Sequence, residues 1–145
     1  MESTPLVVEA VRVLVVDDFR PWIDTVCSML SMQSNLRVIG QAADGMEAVA
    51  KVRDLRPDLI IMDIGLPSLD GIKATIRVLE LAPDAKIIFL TQHRDPEIVR
   101  AALGTGAQGY VVKSDAMAEL LLAVEGVLSG EKFLSESAKG AFRKT

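Results

Sequence analysis

Apolar residues fall along the chain in two alternating kinds of run. Short, nearly continuous runs rich in Val and Ile occupy 11–16, 36–40, 59–62, 86–90 and 109–112. Their continuity, rather than a two-residue alternation, predicts strands covered on both faces. Between them lie segments with helical period. Trp22, Val26, Met29 and Leu30 make one stripe, Ile72, Ile76 and Leu79 a second, and Met117, Leu120, Leu121, Val124 and Leu128 a third. Weaker stripes at Met46, Val49, Ala50 and at Ile98, Ala101, Ala102 predict two more helices. Pro57 and Pro83 stand just before the third and fourth apolar runs, where helices should end. Five strands alternating with five helices predict an α/β domain: a doubly wound, five-stranded parallel sheet with right-handed crossovers.

Composition narrows the class. A chain of 145 residues has the size of one domain with a self-sufficient core. The single cysteine, Cys27, excludes an internal disulfide and fits a reducing, cytoplasmic setting. Its position between Val26 and Met29 predicts packing rather than nucleophilic chemistry. No apolar run reaches the ~20 residues of a membrane span, and the first ten residues, MESTPLVVEA, lack the basic start of a secretory signal. The formal net charge of −4 and an aromatic content of 4% argue against nucleic-acid binding by this chain, through phosphates or through base stacking.

The acids are placed more tellingly than they are numerous. Ligands of doubly wound sheets bind outside the carboxyl ends of the strands. The first apolar run ends in Asp17-Asp18, the third in Asp63, the fourth in Thr91 and the fifth in Lys113. Taken singly, each residue has an ordinary reading: a turn or helix cap for the acids and Thr91, a solvated surface for Lys113. Together they converge on one edge. Crowded carboxylates call for a compensating cation, and a hard oxygen donor set suits Mg²⁺. Adding a lysine and a hydroxyl makes a site fit for a phosphoryl group, with a carboxylate as nucleophile.

The blocks VLVVDDFRP, LIIMDIGLPSLDGI, IIFLTQH and GYVVKSDA resemble the signatures of the response-regulator receiver domain of bacterial two-component systems. The intervals from Asp18 to Asp63, Thr91 and Lys113, 45, 28 and 22 residues in turn, fit that family as well. The resemblance implies a flavodoxin-like (CheY-like) sheet of order 2-1-3-4-5. It implies that Asp63 is the phosphoacceptor and that Asp18 holds Mg²⁺ directly, Asp17 through water, with Asp63 and the Gly65 carbonyl completing the metal site. It further implies that Thr91 is the switch hydroxyl, Lys113 the phosphoryl-pairing lysine and Tyr110 an aromatic switch that rotates inward on activation. The implied partner is a sensor histidine kinase, with a homodimer through helical faces as a second contact.

Two positions depart from the commonest pattern of that family. Ser114 stands where a proline often follows the lysine, and Ser114-Asp115 reads as a cap for a helix over 116–128, with Glu119 in its first turn. Gln92 is long where a small residue is common, and His93, the lone histidine, reads as a loop residue beside the site. The expected organisation is an N-terminal extension at 1–10, a receiver at 11–130 and a tail at 131–145. In the tail Leu134, Ala138, Ala141 and Phe142 are spaced for a short amphipathic helix. The likeness within the family is to LuxR/NarL-type receivers, where such a tail leads towards a helix-turn-helix domain that binds DNA; the chain reads either as the regulatory domain of such a transcriptional regulator or as a single-domain regulator. Two other readings keep the same sheet: an interaction module that is not phosphorylated, and a flavin carrier or aspartate-dependent phosphatase. The DDFRP turn lacks the Gly- or Ser/Thr-rich loop a flavin phosphate needs.

Overall fold

The structure, a computed structural model, describes residues 9–142. Strands β1 (Val11–Val16), β2 (Leu36–Ala42), β3 (Leu59–Met62), β4 (Lys86–Thr91), β5 (Gly109–Val112) and β6 (Phe133–Leu134) form one sheet of order β2-β1-β3-β4-β5-β6. Every pairing in it is parallel. Helices α1 (Arg20–Ser31), α2 (Gly45–Leu55), α3 (Gly71–Leu81), α4 (Pro96–Gly104) and α5 (Ala116–Leu128) connect the strands. The expected five-stranded order is present and is extended by one strand. The Phe133 amide donates to the Gln108 carbonyl at 2.9 Å and the Ser135 amide to the Tyr110 carbonyl at 2.8 Å. A two-residue strand carries no periodicity of its own, so its pairing could not be read from the chain.

Alternate residues of the central strands feed two separate cores. Leu14, Val16, Ile60, Met62, Ile87, Phe89, Tyr110 and Val112 pack with α2, α3 and α4. Val13, Val15, Leu59, Ile61, Ile88, Leu90 and Val111 pack with α1 and α5. Both faces are covered, and for that reason the apolar runs are unbroken.

The helical stripes are corrected in their membership. In α3 the buried residues are Gly71, Ala74, Thr75 and Val78, while Ile76 is 46% exposed. In α5 they are Ala116, Leu120, Ala123, Val124 and Val127, while Met117 is 74% exposed. In α2, Ala48, Val49 and Val52 face the sheet and Met46 lies outside. Val49, Leu120 and Val124 of the expected stripes are buried; close approach to the sheet adds small residues such as Ala48, Ala74 and Ala123, to which hydrophobicity gives little weight.

Helix α3 presses most tightly on the strand ends. Asp70 caps it by accepting from the Lys73 amide at 3.0 Å. The Gly71 amide donates to the Ile64 carbonyl at 2.8 Å, and a Cβ on Gly71 would lie 1.8 Å from the Asp63 carbonyl oxygen. Gly71→Ala is therefore expected to destabilise the domain by about 1–3 kcal/mol through overpacking. Urea unfolding measures this, and an unchanged midpoint would contradict the close approach.

The tail departs from expectation. Leu134 lies in β6, and Glu136–Phe142 winds as a 3-10 helix rather than an α-helix. Asp115 precedes α5 but its side chain makes no cap bond. It turns to the tail instead. The fully buried Ser135 hydroxyl lies 2.5 Å from Asp115 Oδ2 and 2.8 Å from Glu119 Oε1. The Glu136 and Ser137 amides donate to Glu119 and Asp115, both at 3.2 Å. Hydrogen bonds from Ser135, then Ser137, hold the Asp115 carboxyl below its ordinary value. A lowered carboxyl contributes stability above the ordinary carboxylate range and loses it as pH falls through the lowered value. Hydrogen exchange of amides 133–138, corrected for intrinsic rates, should accelerate on acidification through that range. Asp115→Asn should accelerate it already at neutral pH; protection unchanged by both would refute the Asp115 anchor.

Candidate functional site

The last rungs of the ladder set the acids. The Asp17 amide donates to the Ala42 carbonyl and the Asp63 amide to the Val16 carbonyl, both at 3.0 Å. Each acid thereby leaves the sheet at the same edge, beside Lys113 at the end of β5. Asp17 is 3% and Asp63 6% exposed, whereas Asp18 is solvent-facing. One oxygen from each of these three carboxylates lies within 4.8 Å of the others.

Lys113 joins the two buried acids. Its Nζ lies 2.7 Å from Asp17 Oδ2 and 3.1 Å from Asp63 Oδ2. The remaining carboxylate oxygens take backbone donors: Asp17 Oδ1 accepts from the Phe19 amide at 2.9 Å, and Asp63 Oδ1 from the Ile64 amide at 2.7 Å. Neither acid caps α1, whose N-cap residue, Phe19, makes no side-chain cap bond. Burial pushes the Asp17 carboxyl up, as does the neighbouring Asp63 charge, against the Lys113 and Phe19 hydrogen bonds that lower it. Burial also acts to lower the Lys113 ammonium, but the Asp17 hydrogen bond and the charges of Asp63 and Asp17 outweigh it, so Lys113 is held above its usual value. It stays cationic at neutral pH.

Above this cluster opens a cavity of ≈ 410 Å³ lined by Asp18, Asp63, Gly65, Lys113, Phe19, Trp22, Gln92 and His93. The acidic, all-oxygen set suits a hard divalent ion, and the accessible Asp18 gives such an ion a route in. Gly65 lies under His93: a Cβ there would sit 3.6 Å from His93 Nε2.

Thr91 ends β4 fully buried, and its Oγ1 is 3.5 Å from the His93 amide nitrogen. Tyr110 is also fully buried and therefore inward, 6.2 Å ring to ring from Phe89. Its hydroxyl donates to the His93 carbonyl at 2.8 Å. Burial, then the Asp63 and Asp95 charges, push the Tyr110 hydroxyl far up, so it remains a donor. The structure thus brings Asp17, Asp18, Asp63 and Lys113 into one cluster, lines the cavity above it with Gly65, and ties Tyr110 to the loop after Thr91. Cys27 lies apart, half-buried, its Sγ accepting from Gln41 Nε2 at 3.4 Å.

Sequence reasoning missed two features of the pocket. Trp22 was assigned to a core stripe, but its ring also faces Lys113 Nζ, 5.2 Å from the centroid. The His93 carbonyl, a backbone group, carried no signal as the Tyr110 acceptor. Among the described residues, no helix is long and apolar enough to cross a membrane.

Known proteins resemble this chain in sequence and fold. Residues 13–125 match the response regulator receiver domain. The chain is 35% identical over 125 residues to the response regulator GacA of Pseudomonas viridiflava, covering 86% of this chain and 58% of the relative. It is 36% identical over 121 residues to the response regulator protein VraR of Staphylococcus aureus, covering 83% and 58%. It thus spans little more than half the length of these relatives. A LuxR-family two-component response regulator from Aurantimonas sp. SI85-9A1 superimposes with a TM-score of 0.86 at 31% identity, covering 92% of this chain and 95% of that one. The isolated receiver domain of RcsB from Salmonella enterica serovar Typhimurium, determined with the phosphomimetic BeF3-, gives 0.87 at 25% identity, covering 93% and 100%. The family match spans the sheet edge where the acids, Lys113 and Thr91 meet, and the chain belongs to the response regulator receiver domain family of two-component signalling.

Proposed function

We propose that Asp63 accepts a phosphoryl group from a sensor histidine kinase and that the acyl phosphate so formed resets the face around Tyr110. The observation that carries this reading is the lysine bridge: one ammonium 2.7 Å and 3.1 Å from two buried carboxylates beside an open, acid-lined cavity. Asp17, Asp18, Asp63 and the Gly65 carbonyl are the proposed Mg²⁺ ligands. When bound, Mg²⁺ supplies charge neutralisation for the phosphoryl oxygens.

The chain's own groups do the rest. An Asp63 carboxylate oxygen attacks phosphorus; the bond from phosphorus to the kinase imidazole nitrogen breaks, and that nitrogen keeps the electron pair. Lys113 pairs with an equatorial oxygen and Thr91 donates its hydroxyl to another, positioning rather than covalent work. The new group brings roughly −1.5 to −2 charge. Movement of Thr91 towards it draws the loop through His93, whose carbonyl holds Tyr110 inward. The face of α4, β5 and α5 then changes shape. Water attack on phosphorus returns the Asp63 carboxylate and releases phosphate, so the domain consumes no substrate beyond its own phosphoryl group.

On this reading residues 11–130 are the receiver, and 131–142, docked on it through β6 and Ser135, lead towards a linker. The regulator acts in the cytoplasm, pairs with a second copy through helical faces, and acts either on transcription through a helix-turn-helix domain of a longer chain or, as a single-domain regulator, through protein contacts. Incubation with the small phosphodonor acetyl phosphate tests the core of it. Mass spectrometry should find one phosphoryl group whose formation needs Mg²⁺ and is prevented when a chelator is present from the start. Absence of any Mg²⁺-dependent adduct would overturn the reading in favour of an unphosphorylated interaction module.

A further inference from the structure

We infer that Trp22 is a positioning residue for the Lys113 ammonium: its ring forms the third wall of a cage whose other two walls are Asp17 and Asp63, and so it opposes entry of a divalent cation at Asp17. The inference rests on the proposed metal site and concerns a residue that site does not include.

An ammonium has three N–H donors. Asp17 Oδ2 at 2.7 Å and Asp63 Oδ2 at 3.1 Å take two of them. Nζ also lies over the Trp22 ring, 5.2 Å from its centroid, inside the range for attraction by an aromatic face. Only 12% of the Lys113 side chain is exposed, so this attraction acts with little water between the partners. The placement follows from the chain. Pro21 sits in the first turn of α1, and the Trp22 amide donates to the Phe19 carbonyl at 3.0 Å. That turn sets the indole between the helix core and the cavity, which Trp22 lines together with Asp18 and Lys113.

A divalent ion and the ammonium compete for Asp17. Any ion that draws on Asp17 must loosen the 2.7 Å contact with Lys113. Whatever strengthens the hold on the ammonium therefore weakens the ion. An aromatic face does so without contributing a ligand. Trp22 thus tunes occupancy of the site from outside the donor set.

The test is Mg²⁺ titration by calorimetry on the whole chain, with folding of each variant checked by circular dichroism. Trp22→Leu should bind Mg²⁺ about three- to thirtyfold more tightly than wild type, the range from an exposed to a desolvated cation–π contact. Trp22→Phe keeps a weaker aromatic face and should lie between the two. In a Lys113→Met background Trp22→Leu should leave Mg²⁺ affinity unchanged, because the competitor is gone. A merely structural role would shift affinity equally in both backgrounds, and that result would overturn the inference. So would unchanged or weaker binding in Trp22→Leu beside wild-type Lys113. Failure of the wild type itself to bind Mg²⁺ would overturn the metal site as well, which separates the two failures.

Discussion

Asp63→Asn is expected to reduce Mg²⁺-dependent labelling by acetyl phosphate to background while leaving the fold intact. The side chains are nearly the same size, and Asp63 sits where β3 meets its loop, 6% exposed. An amide oxygen can still accept from the Ile64 amide, now at 2.7 Å, so local geometry should survive. What disappears is the charged oxygen that attacks phosphorus. The electrostatic side effect has a definite sign. The Asp63 charge helps to push the Asp17 carboxyl up; without it, Asp17 ionises more readily and keeps Lys113 to itself. Relief of that repulsion is offset by loss of the 3.1 Å ion pair with Lys113, so stability at neutral pH should change little. Undiminished labelling of the variant would refute Asp63 as acceptor, and a labelled peptide containing another residue would relocate the site.

The site was legible in the sequence to an unusual degree because it is built from strand ends. A buried strand announces itself by an apolar run, and the first polar residue after the run is fixed at the sheet edge. Asp17, Asp63, Thr91 and Lys113 could therefore be placed without knowing any contact. Features that depend on packing distance were not legible. Ala74, Ala123 and Gly71 matter because they are small, and a hydrophobicity stripe gives small residues no weight. The Tyr110 hydroxyl meets a backbone carbonyl, which every residue possesses, so nothing marked His93 as its partner. Asp115 stood where a cap was expected, yet Ser135, 20 residues later, claims its carboxylate. That competition is tertiary and left no local trace.

Removing the lysine should have the largest effect on stability. Lys113→Met keeps the aliphatic stem but leaves Asp17 and Asp63 buried without a cation. Breaking a buried pair from one side costs about 3–5 kcal/mol; because the cavity admits water, a loss of about 3 kcal/mol at neutral pH is expected. The pH dependence separates charge from packing. Burial already holds the Asp17 carboxyl above its ordinary value, and loss of the Lys113 hydrogen bond raises it further. A carboxyl raised by folding adds stability below the ordinary carboxylate range and loses it as pH climbs through the raised value. The deficit of Lys113→Met against wild type should therefore shrink on acidification into the carboxylate range and be largest at neutral pH. Mg²⁺ should restore part of it at neutral pH by binding only the folded state, and more effectively than in wild type, where the ammonium competes. Urea unfolding at two pH values, with and without Mg²⁺, measures all of this. A deficit independent of both would show that Lys113 contributes otherwise than through its charge, and the acidic edge would then hold its charges apart without needing a cation.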